Sequence, residues 1–362
     1  MNENEHDLTA SKGDLTNSLN HVNNSSSLEK YLLSSAPEGI DAEYAWQFAG
    51  GDGQGKIRFV DIEQGWIMNH DYLEIHTLPL TGICEPRFED HGTAVLGVIM
   101  MKKNESGRTG ITPNAKGYVI SSWRPSLDYD IPNAIHYAIS CLDFGDIILL
   151  EEQVYGSEPQ TCFLPAEIQN EVYSAILEAT RSGIVVIEPA GNGVIVTEKG
   201  VNLDGIARDE KNILNKSSAH FRDSGAIMVA ASTSKPPFAR LHRSNFGSRI
   251  DCFAWGEDVR TAGNFPGSSN GLKNRFTNSF CGTSSASAIV AGIALAVQSI
   301  VEASYHERLS PIQLRNILGN ENFATSSARG LPEDKIGVMP DLKKIIDQAL
   351  PVYFGSSAKM KT

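Results

Sequence analysis

Cleaving an amide through a serine takes four groups: a hydroxyl, a base to accept its proton, a carboxylate to orient that base, and N–H donors for the oxyanion that forms. The sequence offers a candidate for each, in the order Asp61, His91, Asn192 and Ser284. Asp61 closes the apolar run "IRFVD", where the end of a strand would hold a carboxylate rigidly. Asp71 lies in the following loop and Asp90 directly precedes the base, so neither is held as well. His91 opens "HGTAVLGVIM", with Ala94, Val95, Val98 and Ile99 on one helical face. The positive end of a helix disfavours imidazolium, which suits a base that must begin neutral.

Asn192 follows the apolar run "IVVI" and sits between two glycines in "PAGNG", where its amide can face a cleft and the glycines let a substrate backbone approach. In "FCGTSSASAIVAG", Ser284 and Ser285 stand at the mouth of a long apolar helix, whose first N–H groups have no intrahelical partner and can bind an anion. Taken singly, each residue has an ordinary structural reading: an Asp starting a turn, a satisfied core histidine, a turn Asn, a Thr/Ser helix cap. The set favours chemistry, because all four fall at predicted strand ends or helix starts of one sheet.

Those elements follow from periodicity. "KIRFVDIE" (56–63), "AKGYVISSW" (115–123), "GDIILLEEQV" (145–154), "GIVVIEPAGN" (183–192) and "SGAIMVAAS" (224–232) read as strands. Ala134, Ile135, Ala138, Ile139 and Leu142 recur at helical spacing, as do Ile168, Val172, Ala175, Ile176 and Ala179. Alternating strands and helices, with strands apolar throughout, predict a three-layer α/β fold: a doubly wound, mostly parallel sheet with helices on both faces. Ligands then belong beyond the carboxyl ends of the strands. Residues 1–36 read as a flexible polar tail, 37–350 as the catalytic domain and 351–362 as a C-terminal tail. The polar stretches 197–222 and 261–279 read as surface insertions.

On "FVDIE", "HGTAVLGV", "AGN" and "GTSSASAIVAG", the chain resembles the subtilisin-like serine peptidases over roughly residues 38 to 300. The resemblance implies Ser284 as nucleophile, His91 as base, Asp61 as orienting carboxylate, and Asn192 with the Ser284 N–H as oxyanion donors. Ser285 stands where that family often carries Met, and is not the nucleophile. Leu150, Glu151, Glu152, Pro189 and Gly191 fall in segments that pair with substrate or wall its pocket in the family. Glu151, Glu152 and Glu188 suggest a preference for basic substrate residues. Three departures stand out: "DIEQGW" replaces the commoner Asp-Ser/Thr-Gly and puts Glu63 where a Gly would be, Ala288 replaces a usual Pro, and the leading tail is shorter than a propeptide domain. The resemblance implies no cofactor for catalysis. Structural calcium occurs in the family, but no residue here is assigned to it. The other readings are a regulatory module that keeps the fold without turnover, and an esterase or transpeptidase using the same acyl-enzyme.

Composition bounds the rest. At 362 residues and 41% hydrophobic the chain can bury a large core, and its formal charge of -12 argues against a nucleic-acid partner. Protein or peptide substrates are the expected partners; the oligomeric state is not set. Five scattered cysteines without a C-x-x-C pair imply neither a disulfide framework nor a zinc cage. The N-terminus carries no signal-peptide core and no run reads as a membrane span, so a cytoplasmic location is the default, with leaderless export the alternative. There is no H-E-x-x-H or P-loop, and "GSSNG" (267–271) lacks the strand and helix that a nucleophile elbow needs.

Overall fold

The structure is a computed structural model that describes residues 38–78, 81–105, 107–126, 128–156, 161–263, 275–328 and 334–355. The expected 1–36 tail, "GSSNG" and residues 356–362 lie outside them.

The middle layer is a nine-stranded sheet. Its strands are β1 (Phe59–Glu63), β2 (Ile75–Thr77), β3 (Gly117–Ser121), β4 (Ile147–Leu150), β7 (Val185–Pro189), β9 (Ile227–Ser232), β10 (Cys252–Trp255), β13 (Ala324–Ser326) and β14 (Val338–Pro340). They run in the spatial order β13-β14-β10-β9-β7-β4-β1-β3-β2. All pair in parallel except β13 with β14. Strands buried on both faces explain the continuous apolar runs "IILL" and "IVVI". The chain builds outward from β1 through β2 and β3, then crosses back to place β4 on the other flank of β1. That reversal opens a crevice beyond the carboxyl ends of β1 and β4, the usual ligand position in such sheets.

On one face lie α1 (Glu89–Met100) and α4 (Thr283–Tyr305), packed together; on the other lie α2 (Ile131–Cys141) and α3 (Asn170–Arg181). Helix α2 starts where the Asp130 side chain accepts from the Asn133 N–H, with a proline in the first turn whose missing N–H costs nothing there. Helix α4 is apolar all round because it runs through the core between β4, β7, β9, β10 and α1. By length and composition it could cross a membrane, yet its apolar window is entirely buried in the fold.

Two small sheets flank the crevice: β5 (Gln153–Gly156), β6 (Cys162–Pro165) and β8 (Gly193–Val194) in one, β11 (Val259–Ala262) and β12 (Phe276–Phe280) in the other. Part of the expected 261–279 insertion is therefore strand, and β12 leads directly into the α4 entry. The 197–222 stretch also buries Leu203, Ile213 and Leu214 against the core, so it is not purely a surface loop. Helix continues through Phe354, beyond the expected start of the C-terminal tail.

Candidate active site

The site is built where β1, β4 and β7 end and α1 and α4 begin. Side chains two apart on a strand point the same way, so Asp61 and Glu63 share one face of β1. Asp61 sits mid-sheet, paired with Val119 and Leu149, while Glu63 is the last strand residue, opposite Ser121. The expectation that Asp61 orients the histidine is corrected here: His91 Nδ1 meets Glu63 Oε1. Asp61 instead accepts the Trp66 Nε1–H on Oδ2 at 2.7 Å and is fully buried. The physical reason is that β1 runs to Glu63, so the carboxyl edge of the sheet lies one side-chain repeat beyond Asp61. Gly92 makes room for this arrangement. A Cβ there would stand 2.7 Å from the Trp66 indole and 2.3 Å from the Gly65 carbonyl oxygen.

His91 lies in the first turn of α1, with its ring edge against Phe280 at a centroid distance of 5.5 Å and its side chain a third exposed. Burial lowers its pKa, against the opposing pull of Glu151, Asp61 and Glu152. When ionised, Glu63 can only accept, which puts the proton on Nδ1 and leaves Nε2 as the base.

The α4 entry begins at Gly282, whose φ of 91° suits glycine and whose Cβ would meet Asn192 Oδ1 at 2.8 Å. Asn192 Oδ1 accepts the Thr283 N–H at 3.0 Å, which turns its NH2 the other way, toward Gln153 Oε1 at 3.3 Å. The loop that carries it is pinned by Asn245, fully buried, whose amide donates to the Phe163 and Ala190 carbonyls at 2.8 and 2.7 Å. Ser284 is in the first turn of α4, so its N–H has no intrahelical acceptor. Ser285 is fully buried and its Oγ donates to the Trp255 and Gly282 carbonyls. Ala288 simply continues the buried helix.

A cavity of about 610 Å³ joins Ser284, His91 and Glu63 with Glu151, Glu152, Pro189, Trp123, Tyr129, Tyr155 and Phe163 in its wall. Ser284 and His91 face it without a direct hydrogen bond between them, as is common before substrate binds. Of the residues expected to wall it, Glu151, Glu152 and Pro189 do so; Leu150 is buried in β4 beside Ile62, and Gly191 is not in the lining. Glu188 is elsewhere too. It is buried beside Glu167, which pairs with the buried Arg249 at 2.7 Å.

Burial raises the pKa of every acid at this centre: Asp61, Glu63 and Glu151 go well above the carboxylate range and Glu152 to about 7. Glu151 accepts from Ser287 Oγ at 2.6 Å, and Glu152 from the Tyr129 hydroxyl. Among the described residues no group of three or more metal-type side chains converges to hold an ion, and all five cysteines are free, so Cys281 and Cys252 are not paired. Gln153, Asn245, Trp66 and Ser287 were not singled out from sequence, since a lone polar residue in a loop or helix gives no signal by itself.

Comparison with known proteins bears on the family and the fold. The model of the Subtilase family matches residues 69–338, a span holding His91, Asn192 and Ser284 but starting after Asp61 and Glu63. The major intracellular serine protease of Bacillus subtilis (strain 168) is 26% identical over 251 residues, 68% of this chain; the chain spans 64% of that relative's length. Among solved structures, a cold adapted subtilisin-like serine proteinase aligns with a TM-score of 0.54 at 18% identity, over 79% of this chain and 88% of the other. The prenylagaramide maturation protease PagA aligns with a TM-score of 0.59 at 18% identity, over 84% and 97%. Together with the nine-stranded, mostly parallel sheet, these matches establish the subtilisin-like α/β fold. The chain belongs to the subtilase family.

Proposed function

We propose that the protein is a serine endopeptidase that cleaves peptide bonds through an acyl-enzyme, with Ser284 as nucleophile, His91 as base and Glu63 as the carboxylate that orients it. One observation carries the reading: a single cavity holds Ser284 at a helix N-terminus and a His91 whose Nδ1 is tied to a buried carboxylate. In this scheme His91 Nε2 takes the Ser284 proton as Oγ attacks the carbonyl, then returns it to the leaving amine. Water repeats the sequence on the acyl-enzyme. In this reading the oxyanion is met by the Ser284 N–H and by the Asn192 NH2, which leaves Gln153 Oε1 to reach it, while Thr283 holds its Oδ1. Asn192→Ala is expected to lower kcat for a peptide substrate by about 10² to 10³ with KM nearly unchanged. Loss of KM alone would mean that Asn192 binds substrate without serving the oxyanion.

Within this reading, Glu151 and Glu152 in the cavity wall support a preference for Lys or Arg side chains, and the aromatic faces of Trp123, Tyr129 and Tyr155 suit a cation as well. Glu152 attracts a cation only when ionised, and its pKa stands near 7. The kcat/KM ratio of Arg over Leu peptides should therefore rise as pH increases through 7. Glu152→Gln, which keeps an acceptor for Tyr129, should flatten that rise. A ratio unchanged by the substitution would remove Glu152 from specificity.

A further inference from the structure

The side-chain donor that the proposed reaction needs for its oxyanion already has an acceptor from the protein itself. Asn192 Nδ2 donates to Gln153 Oε1 at 3.3 Å, and the Asn192 backbone N–H donates to the same oxygen at 3.2 Å. A backbone N–H can only donate, so Gln153 must present its oxygen to Asn192 and not its NH2. Gln153 is the first residue of β5 and lines the cavity that holds Ser284 and His91. Its amide carbonyl has the same chemistry as the peptide carbonyl that a substrate would bring, a neutral oxygen acceptor on a planar carbon.

Asn192 does not depend on Gln153 for its pose. The Thr283 N–H fixes its Oδ1 at 3.0 Å, and Asn245 ties down the loop, donating from its side chain to the Ala190 and Phe163 carbonyls and accepting nothing less than a fixed backbone, since its own N–H meets the Gly191 carbonyl at 3.1 Å. A Cβ on Gly191 would stand 2.6 Å from the Phe163 carbonyl oxygen, so the loop is tightly packed where it carries Asn192. Gln153 is held less firmly. It is half-buried, its side chain makes no other hydrogen bond among the described residues, and its two bonds lie at or just past the long end of the N–H···O range. Resting on the peptidase reading, we infer that Gln153 is an internal competitor of substrate: its Oε1 holds the Asn192 NH2 in the free enzyme, and its side chain must swing off Asn192 before a substrate carbonyl oxygen can take that donor. The rigid partner stays and the looser one leaves.

Gln153→Met keeps the length of the side chain and replaces the carbonyl by a thioether, a weak acceptor. Its second-order rate of labelling by a fluorophosphonate probe, whose phosphoryl oxygen takes the oxyanion position, is expected to rise about three- to tenfold over wild type, the worth of hydrogen bonds that no longer compete. In an Asn192→Ala background the same substitution should leave the rate within about twofold, because the donor competed for is gone. A Gln153→Met variant labelled more slowly than wild type would make Gln153 a support for Asn192 and overturn the inference, and so would an unchanged rate or a gain that survives in Asn192→Ala. The amide NMR spectrum of the free protein gives a readout independent of activity. On Gln153→Met the Asn192 backbone and side-chain amide protons should move upfield and the backbone N–H should exchange faster with solvent. Asn192 signals that stay in place would overturn the inference whatever the labelling shows. Signals that move in a protein that no probe labels would count against the peptidase reading and leave the Gln153 contact standing.

Discussion

Ser284→Ala lowers kcat for a peptide substrate by about 10⁶-fold while KM stays within severalfold, the size of loss found when the serine of a serine-histidine pair is removed. The expectation rests on the different positions of two adjacent serines. Ser284 faces the cavity that also holds His91, whereas the Ser285 hydroxyl is buried and spent on the Trp255 and Gly282 carbonyls. Ser285→Ala should therefore retain turnover and instead cost stability, about 1 kcal/mol for hydrogen bonds of this kind. Steady-state kinetics and thermal unfolding of the two variants separate the roles. Activity that survives the loss of Ser284 but not of Ser285 would reverse the assignment.

Glu63→Gln lowers kcat by about 10⁴-fold, because an amide can present its NH2 to His91 Nδ1 and force the proton onto Nε2, where the base is needed. An ionised Glu63 accepts the Nδ1 proton and leaves Nε2 free. The pH profile supplies a second check. Burial lowers the His91 pKa, so the base stays neutral to more acidic pH than an ordinary histidine. The acid limb of kcat/KM in wild type should thus lie below the ordinary histidine range. A wild-type limb above it, or a Glu63→Gln variant with near-normal kcat, would remove Glu63 from the mechanism.

Much of the fold was legible because its signals are local and strong. Five apolar runs became β1, β3, β4, β7 and β9, with "GDIILLEEQV" also supplying the start of β5, and the helical spacings became α2 and α3. Short strands such as β2 and β8 were not legible, since a few residues carry no period and depend on a partner strand. His91, Asn192 and Ser284 stood out in the sequence because each is marked by its neighbours, a Gly-containing helix start or a Gly-flanked loop. The carboxylate that meets His91 lies one side-chain repeat beyond the Asp61 expected from sequence. Strand ends are the least certain feature of a sequence reading, and Asp61 and Glu63 lie on the same face of the same strand. A signal did exist: the family pattern is an acid two residues before a Gly, and in "DIEQG" the acid two before Gly65 is Glu63. Asp61 drew attention by being the expected residue type.

The account's central claim, that Ser284 is the nucleophile made reactive by His91 on Glu63, is tested most directly by labelling with a fluorophosphonate probe and mapping the adduct. The prediction is one adduct on the peptide containing Ser284, retained in Ser285→Ala, lost in Ser284→Ala and greatly slowed in His91→Ala and Glu63→Gln. An adduct that persists without Ser284, or a Glu63→Gln variant labelled as fast as wild type, would contradict it.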